Sequence, residues 1–130
     1  MTKEFLTSPY PASRAYSPAV VTRGPQRHVW LAGHTGHVTD DGRKLDNDFD
    51  GQARQVFRNM ERTLAQVGGS LRDIVSMTVC ITDRSNTVRV GEIRKEFYSG
   101  DYPASATLTV VGLPDPAMMI EIQAIAVMPE

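Results

Sequence analysis

The sequence is short of several things. It has one cysteine, Cys80, so no internal disulfide can form. Its apolar runs, such as Ile125 to Met128, are a few residues long, against about 20 for a helix that crosses a bilayer. It has no excess of either charge: 14 Lys and Arg stand against 15 Asp and Glu, a formal net charge of -1. Such a chain has no overall field to gather nucleic acid or an acidic membrane, so neither is expected as a partner. Met1 is followed by polar residues rather than by a basic and then apolar leader. A reducing, cytoplasmic location and a small neutral or mildly charged ligand are the corresponding expectations.

What is present is enough for one core. With 130 residues, 41% of them hydrophobic, residues 1-130 are expected to form a single domain without a linker. Ala19–Thr22 and His28–Ala32, joined through Arg23-Gly24-Pro25, predict a hairpin of two short strands. After the Asp41-Gly42 turn, Phe49, Ala53, Val56, Phe57, Met60, Leu64 and Val67 recur at three- and four-residue spacing. That period predicts an amphipathic helix of about five turns. Asp48 or Asp50 is placed to cap its start, and Gly68-Gly69 to end it in a left-handed turn.

From Val75 to Thr82 the period changes to two, with Val75, Met77, Val79 and Ile81 on one face and Ser76, Thr78, Cys80 and Thr82 on the other. Ser85 or Asn86 is placed to cap a second helix running to Tyr98, with Val90, Ile93 and Phe97 on its apolar side and Gly91 weakening it. Ala106–Val111 and Met118–Met128 predict two last strands around Gly112-Leu113-Pro114-Asp115-Pro116. This order of elements predicts an α+β domain whose helices share one sheet face. The other face, expected to carry Thr78, Cys80, Thr107, Thr109, Glu121 and Gln123, would meet water or a partly polar subunit interface.

Five short motifs, in order, resemble one enzyme family. They are Arg14-Ala15-Tyr16-Ser17-Pro18-Ala19-Val20, Leu31-Ala32-Gly33-His34, Gln52-Ala53-Arg54-Gln55 with Asn59, Asp73-Ile74-Val75, and Tyr102-Pro103-Ala104-Ser105-Ala106-Thr107 leading through Gly112-Leu113-Pro114 to Ile120–Val127. The chain resembles the reactive intermediate deaminases, the Rid or YjgF-like (endoribonuclease L-PSP-like) proteins, from about Ala12 to Val127, with one short deletion before Tyr102.

The resemblance implies a chorismate-mutase-like six-stranded mixed sheet with two helices on one face. It also implies a homotrimer with three intersubunit clefts, and hydrolysis of an imine or enamine to a carbonyl compound and ammonia without metal or organic cofactor. In the positions of this sequence it makes Glu121 the carboxylate that orients water, Tyr16 part of the cleft wall, and Gly33 a backbone lying against the ligand. Ser105, Thr107, Arg14 and His34 complete the expected substrate-binding set. Such roles suit the chemistry: water adds to a C=N carbon when aimed at it, and a carboxylate both holds the water and shuttles its proton.

The departures are as informative. Ser105 occupies the place of an arginine that grips the substrate carboxylate in relatives acting on 2-imino acids. Serine offers one hydroxyl and no charge, and losing one partner of a buried charge pair costs about 2–5 kcal/mol, or about 30-fold to several thousandfold in binding. Ala32 replaces a serine, His34 a glutamine, Gly91 an asparagine, and Thr107 a cysteine or similar residue. Two readings follow: a deaminase whose substrate is not one of the usual 2-imino acids, with Arg14 or His34 as replacement anchors, or a non-catalytic member that binds a metabolite or a protein.

Other candidates have simpler roles. His34 and His37 supply two metal ligands at most, with Asp40 and Asp41 nearby, so no metal site is expected. His28 is read as structural and Cys80 as a small buried thiol. No nucleophile elbow surrounds Ser105, and no cluster of basic and aromatic residues supports RNA binding.

Overall fold

Asp48 starts the first helix because its carboxylate accepts from the Gly51 N–H at 2.9 Å, satisfying one of the free donors of the first turn. Helix α1 then runs Phe49–Ala65 and buries Phe49, Ala53, Val56, Phe57, Met60 and Leu64, the predicted stripe. It stops where Gly68 takes a left-handed φ of +75° and Gly69 N–H closes on the Leu64 carbonyl. The computed structural model describes residues 1–9 and 14–130. Ala12, where the family resemblance begins, lies outside them.

Six strands accompany the helices: β1 Thr2–Phe5, β2 Val20–Arg23, β3 Gln26–Thr35, β4 Ile74–Ile81, β5 Ala104–Thr109 and β6 Ile120–Pro129. A 3-10 turn at Arg84–Asn86, capped by Asp83, leads into α2, Thr87–Phe97. Asn86 sits at the N-cap position of α2 but makes no side-chain cap bond, and the helix ends one residue before Tyr98.

The expected α+β class with a mixed sheet is observed, with one redistribution of strands. Four form a sheet in the order β3-β6-β4-β5, while β1 and β2 form a separate antiparallel ladder. The turn at Gly24 is real, with φ +91°, but β2 and β3 are not a hairpin. β3 is ten residues long and pairs with β6 from Gln26↔Pro129 to Thr35↔Glu121, leaving β2 to the N-terminal strand, Thr2↔Arg23 to Phe5↔Val20. Thr2–Phe5 is too short and polar to announce itself by period.

β4 and β5 are parallel and joined through α2, whereas β6 runs antiparallel to both β3 and β4. The helix side of the sheet supplies Leu31, Ile74, Met77, Val79, Ile81, Ile120, Ile122 and Ala124 to the core, against α1 and the Val90 and Ile93 side chains of α2. Phe57 and Phe97 stack at 4.8 Å between the two helices. Bidentate pairs Arg54–Glu96 and Arg89–Asp50 brace α2 against α1.

Two register details correct the sequence reading of the faces. The β4–β6 ladder slips between Ile74 and Ser76, so Ile74 is fully buried and Val75 only half-buried. In the parallel ladder Thr107 stands beside Val79 and Thr109 beside Ile81, which puts both on the helix side rather than the open face. The open face instead carries Trp30, Ile125, Thr78, Gln123, Ala106, Cys80, Leu108 and Glu121. Cys80 is half-buried there, level with Glu121, rather than a core thiol.

Candidate functional site

Glu121 is set by β6 next to the end of β3. A register shift between Leu31 and His34 places one extra residue in β3 and brings the Gly33 backbone under the Glu121 side chain. A Cβ at Gly33 would lie 2.8 Å from Glu121 Cδ and 3.0 Å from its Oε1. Glycine here is therefore a matter of space: any larger residue pushes the carboxylate aside. Among the described residues no hydrogen bond or ion pair holds that carboxylate, so its oxygens are available to a water or ligand.

Tyr16, Ser105 and Thr107 gather elsewhere, around the β5 edge and α2. Ser17 bridges to Ala104 in parallel register, and its N–H donates to the Pro103 carbonyl at 3.1 Å, fixing the Ala15–Ser17 segment along β5. The Arg14 guanidinium donates to the Tyr16 phenol oxygen at 3.5 Å. With Val88, Gly91, Arg94, Lys95 and Thr107, these residues line a cleft of about 580 Å³. Ser105 and Thr107 face the helix side and Glu121 the open side, so one chain brings the expected catalytic carboxylate together with Gly33 but not with Tyr16, Ser105 and Thr107.

His34 is placed differently from the other expected binding residues. Its Nδ1 contacts the Ala32 carbonyl and its Nε2 the Thr63 hydroxyl, each at 2.8 Å. A carbonyl only accepts, so Nδ1 carries a proton. With both ring nitrogens engaged, the imidazole ties the β3 bulge to α1. Asn59, from the same helix, donates to the Thr35 carbonyl at 2.8 Å and extends that brace.

A group that sequence reasoning missed is Arg94. It is 3% exposed, donating through Nη1 to the Ala15 carbonyl at 2.8 Å and through Nη2 to Ser105 Oγ at 3.0 Å. Burial pulls its pKa down to about 10, which still leaves it protonated at neutral pH. Position 94 completes the i, i+3, i+4, i+7 stripe of Val90, Ile93 and Phe97. A charged residue in an inward position was the signal available in the sequence.

What the parts can do chemically is distinct. The Glu121–Gly33 corner can hold a water beside a backbone, and the β5–α2 cleft can hold a small molecule by cations, a phenol and two hydroxyl groups. No three His, Cys, Asp or Glu side chains converge into a metal-binding group among the described residues.

Comparisons with known proteins bear on the family and the fold. The Endoribonuclease L-PSP family profile matches residues 6–128. A rat protein described as 2-iminobutanoate/2-iminopropanoate deaminase is 32% identical over 126 residues, covering 96% of this chain and 89% of its own. The crystal structure of RidA from the Antarctic bacterium Psychrobacter superposes with a TM-score of 0.71 at 31% identity, covering 94% of this chain and all of the other. A Yersinia pestis protein of unknown function, YyfB of the conserved Rid family, has the same fold at a TM-score of 0.85 and 24% identity, covering 98% of this chain and all of its own.

Proposed function

Because the chain belongs to the Rid family of YjgF-like, endoribonuclease L-PSP proteins, we propose that it is a hydrolase of a reactive imine or enamine. The observation that carries this reading is the Glu121 carboxylate, which has no hydrogen-bond or ion-pair partner among the described residues and lies over Gly33. Glu121 takes a proton from water as the oxygen attacks the C=N carbon. Glu121 passes that proton to the imine nitrogen to give the carbinolamine, whose hydroxyl proton then moves to nitrogen through the same carboxylate as the C–N bond breaks, so that ammonia leaves a carbonyl product. Tyr16, Thr107 and Ser105 shape the cleft that holds the substrate. Arg14 stands at its rim.

The site becomes complete between copies of the chain. Glu121 and Thr107 lie on opposite faces of one sheet, so the carboxylate serves a cleft provided by a neighbour. A homotrimer supplies this arrangement. Its support is the open face itself, where Trp30 is 72% and Leu108 50% exposed, together with Val88 at the cleft mouth, 76% exposed. Large apolar side chains left exposed on this face favour its burial by association.

The test is ammonia release from 2-iminobutanoate and from neutral imines generated in situ. Glu121→Gln, which keeps shape and removes the base, is expected to lower the rate by about 10²–10⁴. Equal rates in wild type and variant would reject hydrolysis by Glu121. Ser105 in place of a strand arginine supports a second reading, a metabolite-binding member without catalysis. Ligand binding with no ammonia release from any imine would select it.

A further inference from the structure

Arg94 is a buried cation without a counter-ion. Among the described residues none of the ion pairs includes it. A guanidinium has five N–H donors, and two are used, on the Ala15 carbonyl and the Ser105 hydroxyl. Nε is buried with no acceptor among the described residues. A charge held this way is costly to bury. No packing need explains it, since a Met or Leu would fill the same place in the stripe of α2.

Its surroundings favour an anion. The cleft that Arg94 lines also carries Arg14 and Lys95, and its one acidic residue, Glu92, lies 3.6 Å from Arg89. Tyr16 and Thr107 add hydroxyl groups at the same wall. Ala15–Ser17 lies outside any helix or strand, and among the described residues its one hydrogen bond with Arg94 is the one the Ala15 carbonyl accepts.

We propose that Arg94 is the recognition group for a carboxylate-bearing small molecule in this cleft, with Ser105 orienting the guanidinium rather than meeting the ligand. The carboxylate displaces the Ala15 carbonyl and takes donors that the protein leaves open, two oxygens matching the planar fork. This inference rests on reading the cleft as the substrate site, and it names the substrate class: an imino or keto acid gripped from α2 instead of from β5.

The test is calorimetric titration with 2-oxobutanoate, with 2-butanone as the neutral counterpart and inorganic phosphate as a competing anion. Wild type is expected to bind the keto acid at least tenfold more tightly than either of the others. Arg94→Met should weaken keto-acid binding by 30-fold or more, and Arg94→Lys, which keeps the charge without the fork, by about tenfold. Melting curves show whether the Met variant folds; should it not, the Lys variant decides, because its unaltered affinity would overturn the proposal.

Equal binding of butanone or phosphate would overturn it too, as would absence of keto-acid binding by wild type. Failure of catalysis alone is read separately. Glu121→Gln should still bind 2-oxobutanoate, so a protein that binds but does not release ammonia leaves Arg94 in its role and removes only the hydrolytic one.

Discussion

Replacing Ser105 by arginine, the residue that the resemblance to 2-imino acid deaminases leads one to expect there, is expected to damage the protein. Ser105 Oγ already accepts from Arg94 Nη2 at 3.0 Å, so a second guanidinium from β5 enters the neighbourhood of a buried first one. At separations of about 4–8 Å and an effective dielectric constant of about 20, the two repel by about 2–4 kcal/mol. For a chain of this size that is a fall in Tm of roughly 8–15 °C, taking about 4 °C per kcal/mol. Urea denaturation at a fixed protomer concentration measures it, the fixed concentration being needed because association adds to apparent stability.

Arg94→Met should relieve the repulsion, so the double variant Ser105→Arg/Arg94→Met is expected to be more stable than Ser105→Arg alone. The cycle isolates a coupling of about 2–4 kcal/mol. A Ser105→Arg protein as stable as wild type, or a double variant showing no coupling, would refute the expectation that a guanidinium at position 105 meets Arg94.

Gly33→Ala is expected to displace the Glu121 carboxylate and lower hydrolysis with little change in Tm, because the clash falls on the end of a flexible side chain; an unaffected rate would show that the position of Glu121 over Gly33 is not used. Trp30→Asp should dissociate the proposed homotrimer, and sedimentation equilibrium reads this directly, as three chains of 14.3 kDa give about 43 kDa. Bonds from Arg89 and Arg54 hold the carboxyls of Asp50 and Glu96 below their ordinary range. Folding lowers these pKa values, so the stability they add is complete above the unfolded value of about 4 and is lost as pH falls through the folded values. Acid denaturation of Arg54→Ala and Arg89→Ala should accordingly show a shallower loss below about pH 4 than wild type.

Much of the fold was legible because it is written in local periods. The α1 stripe from Phe49 to Leu64, its Asp48 cap and its Gly68 stop each depend on residues a few positions apart, and each is found where the spacing puts it. The alternation in β4 was legible for the same reason up to its bulge. Strand partners were not, since β2 pairs with Thr2–Phe5 and β3 with β6, across separations that no local pattern encodes.

The candidate site divides along the same line. Sequence by itself determined the family, the two-helix α+β class and which residue types stand at Tyr16, Gly33, Ser105, Thr107 and Glu121. Those follow from order and spacing along the chain. Only the tertiary structure decided that His34 bonds to Ala32 and Thr63, that Glu121 and Thr107 lie on opposite faces, and that Arg94 meets Ser105. The physical reason is that a side chain's partners are fixed by sheet register and helix docking, where a shift of one residue reverses a face and brings a different group within bonding distance.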